Sequence, residues 1–199
     1  MNLHLQIAVG LVCTLALAVP ASFALADEKA LDAIHQKIVK RYARVQHITS
    51  DALTQKLSDP DEARDIVLID VREADEYGVS HLDKAYRIDP GIWTSTFMRA
   101  FKDRTRGKTV VFYCSVGRRS SYAASYLQDA LKKNGARSVL NLKGGIFSWH
   151  NQSRPLYRSG RATDFVHPYS KYWGSMIERR QLTRYKPPTN ETASTPTPQ

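Results

Sequence analysis

Of the 199 residues, those best equipped for chemistry lie together in Cys114-Ser115-Val116-Gly117-Arg118-Arg119-Ser120. A thiol attacks as its thiolate, and a free cysteine, with a pKa of about 8.5, ionises substantially near neutrality only beside positive charge or N–H donors. This stretch supplies both. Gly117 lets the backbone turn, Arg118 and Arg119 bring two cations close to the sulfur, and Ser115 and Ser120 add hydroxyls. The alternative is a buried structural cysteine, as most free cysteines are. An inert core thiol has no use for the glycine and arginines beside it.

The elements around the loop must hold it open to a ligand. Thr109-Val110-Val111-Phe112-Tyr113 runs β-branched and aromatic residues together without alternation, which predicts a strand buried on both faces. From Ser120 onward the chain has a serine start, Ala124, Leu127 and Leu131 at helical spacing, Lys132 and Lys133 near the end, and a glycine stop at Gly135. Cys114 is therefore expected at the carboxyl end of a strand. The loop becomes a strand-to-helix turn, whose amides and helix dipole favour an anion.

Further strands are expected at His47-Ile48-Thr49, at Asp65-Ile66-Val67-Leu68-Ile69-Asp70-Val71-Arg72 and at Ser138-Val139-Leu140-Asn141-Leu142, with Ser50 as the N-cap of a helix over residues 51–57. Alternating strands and helices predict an α/β fold, a parallel sheet with helices on both faces. Residues 27–45 carry Leu31, Ile34, Ile38, Tyr42 and Val45 at near-helical intervals and predict an amphipathic helix packing on the domain from outside. Trp93, Phe97 and Phe101 form one helical stripe, read as core. Trp93 is also the candidate for a hydrophobic wall beside the cysteine.

Three segments resemble the rhodanese (sulfurtransferase) family. The Cys114 loop resembles its active-site loop, in which a cysteine carries sulfur as a persulfide. Asp70-Val71-Arg72-Glu73-Ala74-Asp75-Glu76-Tyr77 with Ser80-His81-Leu82-Asp83-Lys84-Ala85-Tyr86-Arg87-Ile88 is similar to its amino-terminal signature, and Lys143-Gly144-Gly145-Ile146-Phe147-Ser148-Trp149 to its carboxyl-terminal one. Ser80 and Lys84 stand where the family has glycine. Cys114 and Arg119 form C-x4-R, against the C-x5-R of related phosphatases and arsenate reductases, in keeping with a loop that cradles sulfur. The resemblance implies a five-stranded sheet over residues 46–155 and a catalytic Cys114. Residues 115–120 (Ser115, Val116, Gly117, Arg118, Arg119 and Ser120) would hold the substrate, and Asp70 and Arg72 would support them as the charges nearest the site. It implies a sulfurtransferase moving sulfane sulfur from an anionic donor such as thiosulfate to cyanide or a thiol, or, as an alternative, a non-catalytic module binding an anion or a partner protein.

The net charge of +10 and ten tyrosines suit a folded protein with anionic substrates, and no nucleic-acid motif accompanies the charge. Residues 1–26 lack Lys, Arg, Asp and Glu, hold an apolar core from Ile7 to Ala18 and end in Ala24-Leu25-Ala26, which reads as a signal peptide and predicts a periplasmic or secreted protein. Its removal takes Cys13 with it. Cys114 is then the last of the two cysteines, with no disulfide or resolving partner, so the thiol is expected to be used. The histidines show no metal-ligand spacing around it, and neither metal nor cofactor is expected. Residues 156–188 are rich in Arg and Tyr and predict an extension that wraps the domain with its aromatics inward, with a lid or a protein-docking surface as alternatives. Residues 189–199, Thr- and Pro-rich, are expected to be a disordered tail, and the chain to be a monomer.

Overall fold

The computed structural model describes residues 21–188, with side chains from residue 28. The signal-peptide and tail expectations concern segments that lie largely outside this range. One sheet holds β1 (Gln46–Ile48), β2 (Ile66–Asp70), β3 (Tyr86–Arg87), β4 (Thr109–Tyr113) and β5 (Ser138–Leu142). All pairings are parallel, in the order β1-β5-β4-β2-β3. The cysteine-bearing strand β4 is thus the central one.

Side chains alternate across each strand, and the alternation divides the interior into two layers. Val111 and Tyr113 of β4 and Leu68 of β2 face one layer, with Leu53 from α2 (Ser50–Ser58) and Ile146, Phe147 and Trp149 from α7 (Gly145–Asn151). Val110 and Phe112 of β4 and Val67 and Ile69 of β2 face the other, against Phe97 and Phe101 of α5 (Thr94–Thr105) and Ala123, Ala124, Leu127 and Leu131 of α6 (Arg118–Lys133). Burial on both faces explains why the strand sequences run apolar without a polar face. Helix α1 (Ala21–Arg41) starts upstream of the expected residue 27, stops short of Val45, and packs Leu31 into the first layer. The short α3 (Pro60–Arg64) and α4 (Ala74–Val79) fill the connections on either side of β2.

Two helix starts differ from expectation. Thr49, not Ser50, caps α2: it has left the strand, and its hydroxyl accepts from the Ala52 N–H at 3.2 Å, while Ser50 is buried in the first turn. Helix α6 begins at Arg118 rather than Ser120, because Gly117 takes φ +92 and turns the chain into the helix early. At Lys84, where the family pattern has glycine, the backbone is still left-handed, with φ +55.

The carboxyl-terminal segment forms a hairpin, β6 (Leu156–Arg158) with β7 (Arg161–Thr163), and a single helical turn, α8 (Lys171–Gly174). Leu156, Val166, Met176 and Ile177 enter the same layer as Ile146 and Phe147. His81 and Tyr157 exchange backbone hydrogen bonds at 2.9 and 2.8 Å, which fastens the segment to the domain. The segment's core residues are mainly aliphatic, whereas aromatics were expected inward: Tyr169, Tyr172 and Tyr185 stay exposed.

Candidate active site

The loop is shaped from below by the sheet and from behind by α7. The Val71 N–H donates to the Tyr113 carbonyl at 2.9 Å, and Cys114 then leaves the sheet with 1% of its surface exposed. The N–H groups of Ile146 and Phe147 donate to the carbonyls of Cys114 and Ser115 at 2.9 and 3.0 Å. This contact requires Gly145, at φ +58: a Cβ there would lie 2.3 Å from the Cys114 carbonyl oxygen. Gly117, at φ +92, is less tightly confined: its Cβ would lie 3.1 Å from Asn141 Nδ2 and 3.2 Å from the Leu142 carbonyl oxygen.

In a planar trans peptide the N–H points opposite to the C=O. With the carbonyls of Cys114 and Ser115 turned onto α7, the N–H groups of Ser115 and Val116 face away from it. Among the described residues, no backbone N–H from residues 115–120 finds a protein acceptor. Those of Arg118, Arg119 and Ser120 are unsatisfied donors of the first turn of α6, where the helix dipole is positive. Six backbone donors that follow Cys114 in the chain are thus left for a ligand.

An ion pair between buried Glu76 and partly buried Arg119 braces this cradle. Glu76, 1% exposed, receives Arg119 Nη1 and Nη2 at 2.7 Å each and the Ser115 hydroxyl at 2.8 Å, while Arg119 Nη2 also reaches Ser115 Oγ at 3.0 Å. Glu76 further accepts the Glu73 N–H at 3.0 Å, closing a capping box at the start of α4. Burial pushes its carboxyl up, but the hydrogen bond and charge of Arg119, with the charge of Arg72, outweigh this and hold it below the usual range. Burial likewise opposes the Arg119 charge, and Glu76 and the Cys114 sulfur overcome it, so the guanidinium pKa is raised.

Glu76 is therefore the carboxylate that touches the loop. Asp70 and Arg72, expected nearest, close on each other instead: Arg72 Nη2 meets Asp70 Oδ2 at 2.6 Å with both side chains fully buried, and the same nitrogen donates to the Ser80 carbonyl at 2.6 Å. The pair is buried at the carboxyl end of β2. Val116 packs into the core, and Ser120 is buried with its hydroxyl unpartnered. Arg118 alone among the loop's charges is exposed and, among the described residues, without an ion pair.

Above the sulfur lies a cavity of about 370 Å³. Cys114, Ser115, Arg118 and Arg119 line it together with Arg41, Tyr42, Tyr122, Tyr169 and Trp173, and the rings of Tyr42 and Tyr122 lie 6.5 Å apart. Trp93, the expected hydrophobic wall, is 81% exposed and not part of it. It sits before the first turn of α5, on the surface side of its stripe, whereas Phe97 and Phe101 point into the core. Tyr122 was legible as the residue one turn after Arg118 on α6. Nothing local marks Arg41 and Tyr42 as cavity residues.

Residues 51–152, just over half of the chain, match the rhodanese-like domain family. The chain belongs to that family. It is 32% identical over 112 residues to a sulfurtransferase of Allochromatium vinosum, an alignment covering 56% of this chain and 94% of the relative. It is 27% identical over 111 residues to a tRNA uridine(34) hydroxylase of Pectobacterium carotovorum, covering 55% of this chain but only 29% of that protein. Among solved structures, the As-Sb reductase of Leishmania major superposes with a TM-score of 0.51 at 20% identity over 59% of this chain and 91% of that one, a likeness of fold. The rhodanese-like match begins after α1 and ends before the carboxyl-terminal segment, so Arg41, Tyr42, Tyr169 and Trp173 lie outside the matched residues.

Proposed function

We propose that this rhodanese-like protein is a sulfurtransferase that carries sulfane sulfur on Cys114. The single observation behind this reading is that, among the described residues, the six backbone N–H groups of residues 115–120 beside the buried Cys114 thiol have no protein acceptor, while the carbonyls of Cys114 and Ser115 are held on α7. The Cys114 thiolate attacks the sulfane sulfur of an anionic donor such as thiosulfate. The sulfur–sulfur bond of the donor breaks, sulfite leaves with the electron pair, and Cys114 remains as a persulfide. Cyanide or a thiolate then attacks the outer sulfur and restores the Cys114 thiolate, a ping-pong scheme needing no redox partner. The loop amides hold the persulfide's negative charge as an oxyanion hole holds oxygen. Arg118, exposed on the cavity rim, draws the donor in; Arg119, committed to Glu76, keeps the loop's shape.

Mass spectrometry after incubation with thiosulfate tests this. The protein should gain the mass of one sulfur atom, lose it on addition of cyanide, and gain nothing as Cys114→Ser. A folded wild-type protein that never gains the sulfur would replace the enzyme with a non-catalytic anion-binding module.

A further inference from the structure

The walls above Cys114 continue away from it. A second hollow, of about 410 Å³, shares Arg41, Tyr42, Arg118 and Trp173 with the first and extends along α1 to Lys37 and Ile34. The two make one groove, floored by Ile34 and Ile38 and edged by Tyr172, which is 70% exposed. Among the described residues, Lys37, Arg41 and Arg118 have no ion-pair partner, and no Asp or Glu lines either hollow. From Ile34 to Tyr42 the groove follows the helix for about 12 Å at a rise of ~1.5 Å per residue. That length matches about four residues of extended peptide at ~3.3 Å each.

A small anion such as thiosulfate needs only the loop at the closed end. Hollows of several hundred Å³ with apolar walls and a few placed charges suit larger occupants. Exposed tyrosines and unpaired cations offer contact area to apolar side chains and attraction to carboxylates. The occupant must also present sulfur chemistry to Cys114. An acidic peptide with a cysteine does so directly, whereas unmodified RNA carries no nucleophilic sulfur.

Resting on the sulfurtransferase reading of the site, we propose that the groove receives a short, extended, acidic segment of a partner protein whose cysteine is the sulfur acceptor. The partner's thiolate attacks the outer sulfur of the Cys114 persulfide. That sulfur's bond to Cys114 breaks as its bond to the partner forms, and Cys114 leaves as the thiolate, so no oxidant or reductant is consumed. Acidic residues beside the partner's cysteine lie against Arg118, Arg41 and Lys37, and apolar ones between Ile38 and Tyr172.

The test uses synthetic peptides of about six residues with one cysteine flanked by aspartates, by asparagines or by lysines, as acceptors from the thiosulfate-loaded protein. Lys37→Glu and Tyr172→Ala probe the far end of the groove, on exposed residues remote from the sulfur. The acidic peptide should show a KM roughly three- to tenfold below the neutral one, in line with exposed charge pairs, and Lys37→Glu should erase that preference while transfer to cyanide is unchanged. Equal KM values for the three peptides, or a Lys37→Glu loss as large with cyanide, would overturn the groove. Anisotropy of a labelled acidic peptide on the Cys114→Ser protein reads the groove without turnover, so failure of the sulfur chemistry and failure of the docking are separable. A single-stranded oligonucleotide of similar length that competes as well as the peptide would assign the groove to nucleic acid instead.

Discussion

Arg118 and Arg119 are neighbours in sequence and opposites in use. Arg119 has both terminal nitrogens on Glu76, so its charge is spent inside the loop, whereas Arg118 is free at the rim. Arg118→Ala should raise the KM for thiosulfate about fivefold and leave a neutral persulfide donor almost unaffected, the size expected of one exposed charge contact. Arg119→Ala should impair both donors alike, since it deforms the cradle; steady-state kinetics with the two donors decide. Glu76→Ala strands a partly buried guanidinium and the Ser115 hydroxyl and should cost about 2 kcal/mol by urea denaturation, the range for leaving a charged hydrogen-bond partner unsatisfied. A loss under about 1 kcal/mol would mean that the ion pair adds nothing to the loop. The loop's own residues were legible because thiol, glycine and arginines stand side by side. The role of Glu76 was not, since its partner lies 43 positions away and only the parallel pairing of β2 with β4 brings the two together.

The loop is a joint product of β4, α6 and α7, and the last of these is fixed by a contact that tolerates no side chain. Gly145→Ala adds a Cβ that would meet the Cys114 carbonyl oxygen at 2.3 Å and the Ser115 carbonyl oxygen at 2.6 Å, both backbone atoms that cannot swing aside. Gly91, at φ +80 with nothing within 4 Å of its would-be Cβ, is the control for backbone strain alone. Gly91→Ala should cost about 1 kcal/mol. Gly145→Ala should cost several times that and abolish sulfur loading; equal costs would show that α7 does not set the loop. The strands could be read from sequence because burial on both faces leaves uninterrupted apolar runs. The helix starts could not be read to the residue: Ser is the better N-cap by type, yet Thr49 takes the role over Ser50, and Gly117 caps by its dihedral angle, which no side-chain preference announces.

At the scale of the molecule, the segment after residue 155 is part of the core. Leu156, Val166, Met176 and Ile177 are each under 10% exposed. At ~1.5–3 kcal/mol per buried side chain, their gross burial rivals the ~5–15 kcal/mol by which a whole domain is stable. A chain ending at residue 155 should therefore fail to fold cooperatively, as thermal denaturation followed by circular dichroism would show; a sharp transition near that of the full chain would return the segment to the status of an appendage. The sequence announced this segment as ordered through its aromatics, but not that its aliphatics would do the anchoring, because its order is decided by what α7 leaves uncovered. Stability should also depend on acid. Burial lowers the pKa of His47 and of His150 to about 4, from 6.5, so the unfolded chain takes up these protons first as the pH falls. Their contribution is complete above pH 6.5 and disappears between 6.5 and about 4; denaturation midpoints across that window should fall, and fall less in His47→Gln. The two sides of the loop's peptides, finally, give isotope exchange a way to watch the site. The Ile146 and Phe147 amides, locked onto the loop's carbonyls, should exchange with deuterium only when α7 detaches, whereas the six amides of residues 115–120 have, among the described residues, no protein acceptor to slow them. Their protection is then set by whatever anion sits among them, so the loaded and empty enzyme should differ in a six-residue deuterium pattern before any turnover is measured.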